Sequence, residues 1–216
     1  MSTERLNTDL QIGGESIPPG GRATIALPVP QLYTHTPLTM PVQVVRGRRD
    51  GPRLFVCAAV HGDELNGVEI IRRLLRRPAL ARLRGTLIAI PIVNVYGLLH
   101  QSRYLPDRRD LNRSFPGSER GSLTAKVADR FMTEIVTKCT HGIDLHTAAN
   151  HRDNLPQIRG NLDDPETLAL ARSFGVPVLI NAAIRDGSLR GAAAELGIPT
   201  LLYEAGEPLR FSEPAI

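Results

Sequence analysis

The stretch Val60-His61-Gly62-Asp63-Glu64-Leu65-Asn66-Gly67 carries an imidazole and a carboxylate three residues apart. It follows an apolar run and precedes helical spacing, so His61 and Glu64 fall in a strand-to-helix turn, where both can aim at one point. A catalytic zinc site takes three protein ligands and keeps a fourth position open. The third is offered by Gly142-Ile143-Asp144-Leu145-His146-Thr147, where His146 ends another short apolar strand. HxxE alone reads as a solvated turn; a second strand-terminal histidine makes His61, Glu64 and His146 a zinc triad. Zinc held in this way acidifies a water and polarises a carbonyl. Asp144, two residues before His146, either orients a ligand or faces solvent.

Three further groups can serve such a centre. In Asp110-Leu111-Asn112-Arg113-Ser114-Phe115-Pro116-Gly117, Asn112 and Arg113 are adjacent donors able to grip a carboxylate. Arg103 is a cation that can stabilise an oxyanion beside the metal. Glu204, in Tyr203-Glu204-Ala205-Gly206-Glu207, falls where the last apolar strand runs out. A carboxylate there can take a proton from water and pass it to a leaving amine; Glu207 is its rival within the motif. Arg190 opens a helix and can add a second anion contact. Loop arginines and strand-end carboxylates usually face water, so each of these is a weaker signal than the triad.

The elements that must position these groups alternate along the chain. Residues 54–60 form an apolar strand, 67–77 an amphipathic helix and 86–94 a buried strand. Residues 22–29 and 39–45 read as strands ahead of them, the first an edge strand because of Pro28. The pattern lapses from Val95 to Gly121; a loop this long in a compact domain is functional or disordered, and this one reads as a binding loop. A helix over 123–139, capped by Ser122 or Thr124, leads to the strand of His146. Residues 148–162 read as a polar loop. Asp164 and Pro165 open a helix running to about Gly175, 176–183 is a strand, 188–196 a helix closed by Gly197, and 198–204 the last strand. Strands alternating with helices predict an α/β fold, a mostly parallel sheet covered on both faces. Residues 1–20, with Gly13-Gly14 and Pro18-Pro19-Gly20-Gly21, are expected to be a loose N-terminal arm.

Composition bounds the function. The 216 residues fit one domain, with 42% hydrophobic and 22% charged residues, as in soluble globular proteins. No apolar run is long enough to span a bilayer, and the N-terminus lacks the layout of a signal peptide. Cys57 and Cys139 are expected to be free buried thiols, which points to the cytoplasm. The net charge is +4 and almost all basic residues are arginine. Only 4% of residues are aromatic, tryptophan is absent, and no basic block stands clear of acidic neighbours, so nucleic acid is not an expected partner.

The motifs HGDELNG, RY…DLNRSFPG, DLHT and YEAGE, in this order, resemble the succinylglutamate desuccinylase/aspartoacylase family of the zinc-carboxypeptidase superfamily. The likeness runs from about residue 54 to 210. It implies a three-layer α/β/α fold with a mixed, mostly parallel sheet. It implies His61, Glu64 and His146 as ligands of one zinc, Glu204 as general base and acid, and Arg103 as the group polarising the scissile carbonyl. It implies Asn112 and Arg113 as the carboxylate clamp, with Arg190 a looser match to an anion-binding arginine. The expected reaction is hydrolysis of the amide bond of a small anionic N-acyl amino acid. A carboxypeptidase, using the same residues, and a truncated, non-catalytic zinc-binding module are the alternatives. Family members continue into a β-rich C-terminal domain that this sequence is expected to lack. Oligomeric state, with a homo-oligomer open, is not set by the motifs.

Overall fold

The computed structural model describes residues 10–32 and 34–216. In chain order the strands and helices are β1 (Leu10–Ile12), β2 (Glu15–Ile17), β3 (Arg22–Pro28), β4 (Thr39–Arg46), β5 (Arg49–Ala58), α1 (Asn66–Leu75) and β6 (Arg84–Ile90). There follow α2 (Val95–Leu99), α3 (Leu123–Glu134), β7 (His141–His146), β8 (Asn154–Gly160), α4 (Pro165–Phe174), β9 (Val178–Asn181), α5 (Leu189–Glu195) and β10 (Thr200–Gly206).

Strands β3 to β10 make one mixed sheet in the order β3-β4-β6-β5-β7-β10-β8-β9. Its centre, β6-β5-β7-β10, is parallel throughout, and four of the seven neighbouring pairs are parallel. The central strands read as unbroken apolar runs because both of their faces are covered. The pleat sends Phe55, Cys57, Ile88 and Ile90 to one face, where they pack with Phe131 and Val127 of α3 and Leu189 and Ala193 of α5. It sends Val56, Ala58, Leu87 and Ala89 to the other, against Ile71 of α1 and Ala171 of α4. These two apolar layers make the fold the expected three-layer α/β/α sandwich. On the first face Phe55 and Phe131 meet edge to face, with ring centroids 6.1 Å apart; burying one such side chain is worth about 1.5–3 kcal/mol. No helix among the described residues is long and apolar enough to cross a membrane.

Local signals hold at most boundaries. Ser122 caps α3 by accepting Ala125 N–H, and Asp164 caps α4 by accepting Thr167 N–H. Both cysteines are buried and free.

Besides the short helix α2, capped by Asn94, which opens the loop expected over residues 95–121, two expectations need correction. Residues 10–17, read as part of a loose arm, form the antiparallel hairpin β1–β2, because Leu10, Ile12 and Ile17 are buried in the first apolar layer. The expectation for residues 1–9 lies outside the described residues. The second correction is the loop expected over 148–162, which contains β8, antiparallel to β10. An unbroken ladder would set Leu155 opposite Gly206, but Asn154 stands there. Leu155 and Pro156 therefore bulge out opposite Ala205, and Leu155 is 63% exposed. Proline has no N–H for a ladder, and a bulge is one of the few places within a sheet that tolerate it.

Candidate metal centre and its cavity

β5 ends at Ala58, and Ala59 turns the chain through a left-handed conformation with φ 49°. For an alanine this costs about 1–2 kcal/mol. The turn is held by Val93 N–H donating to Ala58 O and Asn94 N–H donating to Ala59 O. Gly62 then crosses the backbone of α2, where a Cβ would fall 1.9 Å from the Gly97 carbonyl carbon. Only glycine allows that approach, and it seats His61 and Glu64 at the carboxyl end of β5. β7 pairs with β5 in parallel, so its last residue, His146, ends at the same edge.

The three side chains meet there. His61 Nδ1 lies 2.6 Å from Glu64 Oε1, and His146 Nδ1 lies 2.8 Å from Glu64 Oε2. One ligand atom from each residue falls within 4.8 Å of the others, and all three residues are buried. The outward nitrogens are also held: His146 Nε2 lies 2.8 Å from Asp144 Oδ2, and His61 Nε2 lies 3.2 Å from Asp110 Oδ1. Each imidazole thus keeps Nδ1 toward the centre and has Nε2 backed by a carboxylate. That pairing fixes ring orientation and tautomer in metal sites. Asp144 is fully buried and orients His146, the first of the two readings its sequence position left open. The Cys57 thiol donates to its other oxygen at 3.4 Å.

The electrostatics favour a cation at the centre. Burial pulls both imidazoles down, but the facing carboxylates outweigh it, and His61 and His146 sit above the usual histidine range. Burial pushes Glu64 up, yet His61 and His146 hold it well below the usual carboxylate range. Asp110 is held low against its burial by His61 and Arg103. Glu64 and Asp110, both held in the ionised form, beside two inward imidazole nitrogens fit a divalent metal that takes nitrogen and oxygen donors.

The centre opens into a cavity of about 300 Å³. It is lined by His61, Glu64 and His146, Arg103, Asn112 and Arg113, Arg190 and Glu204. Arg103 reaches toward the centre, with Nη1 3.2 Å from His61 Nδ1 and 3.5 Å from Glu64 Oε1, and it chelates Asp110 Oδ2 through Nε and Nη2. Asn112 accepts Leu189 N–H on its Oδ1 at 2.9 Å, which leaves its NH2 as a donor. The Arg113 guanidinium donates to Asn112 O. Glu204 sits beside His146, its register partner in the parallel β7–β10 ladder. Glu207 does not line the cavity and pairs with Arg210 at 3.1 Å. Arg190 uses two donors on the carbonyls of Ala182 and Ala183.

The sequence model of the succinylglutamate desuccinylase/aspartoacylase catalytic domain matches residues 50–216. The chain belongs to this family. It is 35% identical over 147 residues to the N-alpha-acetyl-L-2,4-diaminobutyric acid deacetylase of Halomonas elongata, covering 65% of this chain and 43% of that enzyme. Its fold is similar to the crystal structure of a succinylglutamate desuccinylase/aspartoacylase from Rhodobacter sphaeroides, with TM-score 0.81 and 28% identity over 90% of this chain and 61% of that one. The product-bound ectoine utilization protein of Ruegeria pomeroyi shares the fold at TM-score 0.83 and 23% identity, over 99% of this chain and 67% of that one. The chain therefore spans less than two thirds of the Halomonas and Rhodobacter relatives.

In this family member the cavity also holds groups that sequence reasoning missed. Asn154 and Arg159 come from β8, and Arg152 and Arg185 complete an arginine-rich wall. The alternation of polar side chains at Gln157 and Arg159 was the available signal for β8, and Pro156 masked it. Asp110 was in view as part of its motif, but its contact with His61 depends on the fold of the long loop.

Proposed function

We propose that the protein is a zinc-dependent amidohydrolase that removes the acyl group from a small anionic N-acyl amino acid. The observation that carries this is the convergence of His61, Glu64 and His146, Arg103, and Glu204 on one small cavity. His61, Glu64 and His146 would hold the metal. When bound, zinc supplies Lewis acidity toward a carbonyl and lowers the pKa of a water to near neutrality. Arg103, held by Asp110, presents its guanidinium beside the centre, where it stabilises the negative charge that grows on the carbonyl oxygen. The Asn112 NH2 and the Arg113 guanidinium grip the substrate carboxylate. Glu204 takes a proton from the attacking water and delivers it to the departing amine.

The arginine-rich lining supports an anionic substrate. Arg152 and Arg185 have no carboxylate partner among the described residues, and Arg113 and Arg190 use donors on carbonyls. The cavity volume is at the small end of ligand sites, which supports a small amide.

Metal analysis of purified protein tests the centre. About one zinc per chain is expected, lost in His61→Ala and in His146→Ala. Full zinc retention in both variants would overturn the assignment. A panel of N-acyl amino acids, assayed with zinc present and removed, tests the reaction.

A further inference from the structure

Glu204 is held in an asymmetric way. Its Oε2 accepts the Asn154 side-chain NH2 at 3.1 Å and the Gln157 side-chain NH2 at 3.1 Å, and it lies 3.4 Å from Arg159 Nη1. Its Oε1 has no hydrogen-bond partner among the described residues, and it is not sealed in the interior. All three donors come from β8. Gln157 faces Glu204 in the antiparallel ladder, and Arg159 lies two residues on, so the pleat puts both on one face. Asn154 is three residues from Gln157 and in a regular strand would point to the opposite face. The bulge at Leu155–Pro156 takes up the odd residue, sets Asn154 opposite Gly206 and turns its side chain back toward Glu204. Bulges re-aim side chains in this way beside functional sites.

We infer that Asn154, Gln157 and Arg159 are positioning residues for Glu204, anchoring Oε2 so that Oε1 is the oxygen that carries the proton. This rests on the reading of Glu204 as general base and acid. In that reaction the water oxygen bonds to the acyl carbon as one water proton passes to Oε1. Oε1 then gives that proton to the amide nitrogen as the carbon–nitrogen bond breaks, leaving a carboxylic acid and an amine. A carboxylate free to swing about its last torsion would present either oxygen, at varying distance. A catalytic group misplaced by about an ångström can cost about 100-fold in rate.

The test uses the full chain loaded with zinc, with N-acetyl-L-aspartate, N-succinyl-L-glutamate and Nα-acetyl-L-2,4-diaminobutyrate as probes; the best substrate is carried forward. Gln157→Met keeps length and removes the donor, at a residue that does not line the cavity. It should lower kcat by about 10- to 100-fold, leave KM within about twofold, and retain zinc. Adding Asn154→Leu should deepen the loss. In a Glu204→Gln background, itself reduced by about two to four orders of magnitude, Gln157→Met should change turnover by less than about twofold, because its effect passes through Glu204. A merely structural role would cost the same in both backgrounds. A high-resolution crystal structure of the Asn154→Leu/Gln157→Met variant gives a readout independent of turnover. It should show Glu204 in more than one conformer, or turned from its place. An unchanged single Glu204 conformer, or wild-type kcat in Gln157→Met, would overturn the positioning role. Near-normal turnover in Glu204→Gln, or no turnover of any probe, would instead overturn the reading of the reaction beneath it, and the crystal structure would still decide the cradle.

Discussion

Replacing Asp144 by asparagine keeps the size of a fully buried side chain and removes its charge. An asparagine there can still turn its oxygen to His146 Nε2, now 2.8 Å from the carboxylate, but its NH2 must then face the Cys57 sulfur, a poor acceptor. The change therefore spares the orientation of the imidazole and weakens its electron supply. Carboxylates behind ligating histidines are worth about 10- to 100-fold in metal affinity, or about 1.4–2.7 kcal/mol. At free zinc well above Kd, the stabilisation that zinc gives the fold drops by the same amount. For a domain of this length that lowers Tm by about 3–10 °C. Asp110→Asn should cost less, because Asp110 stands farther from its histidine, at 3.2 Å, and shares its charge with Arg103. Competition with a chelator gives the zinc Kd, and thermal unfolding in zinc and in excess chelator gives the linked stability. The Asp144→Asn deficit should be larger in zinc than in chelator. Wild-type zinc affinity in Asp144→Asn, or an equal Tm deficit in both media, would refute the argument that this carboxylate serves the metal through His146.

Two other outcomes follow from named contacts. Arg113→Ala should chiefly raise KM, since a carboxylate clamp acts alike in ground and transition states, while Arg103→Ala should chiefly lower kcat; steady-state kinetics giving the reverse division would exchange their roles. Asp107 accepts Thr124 N–H at 3.0 Å and the Thr124 hydroxyl, tying the long loop to the start of α3, and although its burial opposes this, those bonds hold its carboxyl below the usual range. Its stabilisation is therefore present above the unfolded carboxylate pKa of about 4 and lost as pH falls through the lower folded value. Asp107→Ala should cost about 1 kcal/mol at pH 7, shrinking below about pH 4; urea unfolding at pH 7 and pH 3 that gave equal deficits would remove this role.

The sequence made some parts of the molecule legible and hid others for physical reasons. The group of His61, Glu64 and His146 was visible because its members end or follow strands whose apolar runs are unmistakable, and parallel pairing of β5 with β7 sends both strand ends to one edge. The helix α4 was visible through its cap Asp164, and α5 through Gly197, which closes it with a positive φ. β8 was not visible, because its cavity-facing side chains, Asn154 and Arg159, are polar and Pro156 suggested a loop. The hairpin β1–β2 was masked by its glycines and prolines, and its strands of three residues are too short to show a period. The contact of Asp110 with His61 spans 49 residues and depends on how a loop without periodicity folds back. The asymmetric grip on Glu204 depends on a one-residue register shift, which no spacing rule reports.

The parallel centre of the sheet has a consequence for how the chain reaches this state. His61 and Glu64 are neighbours in any compact turn, but His146 lies 82 residues from Glu64. Closing a flexible loop of that length costs about 4 kcal/mol of chain entropy, and no local hairpin brings β7 to β5, because parallel strands need a crossover between them. Until that ladder forms, a metal ion held as proposed would find His61 and Glu64 but not His146. Metal capture during refolding would then mark the moment when the two middle strands join, and the ion would lock a topology already made.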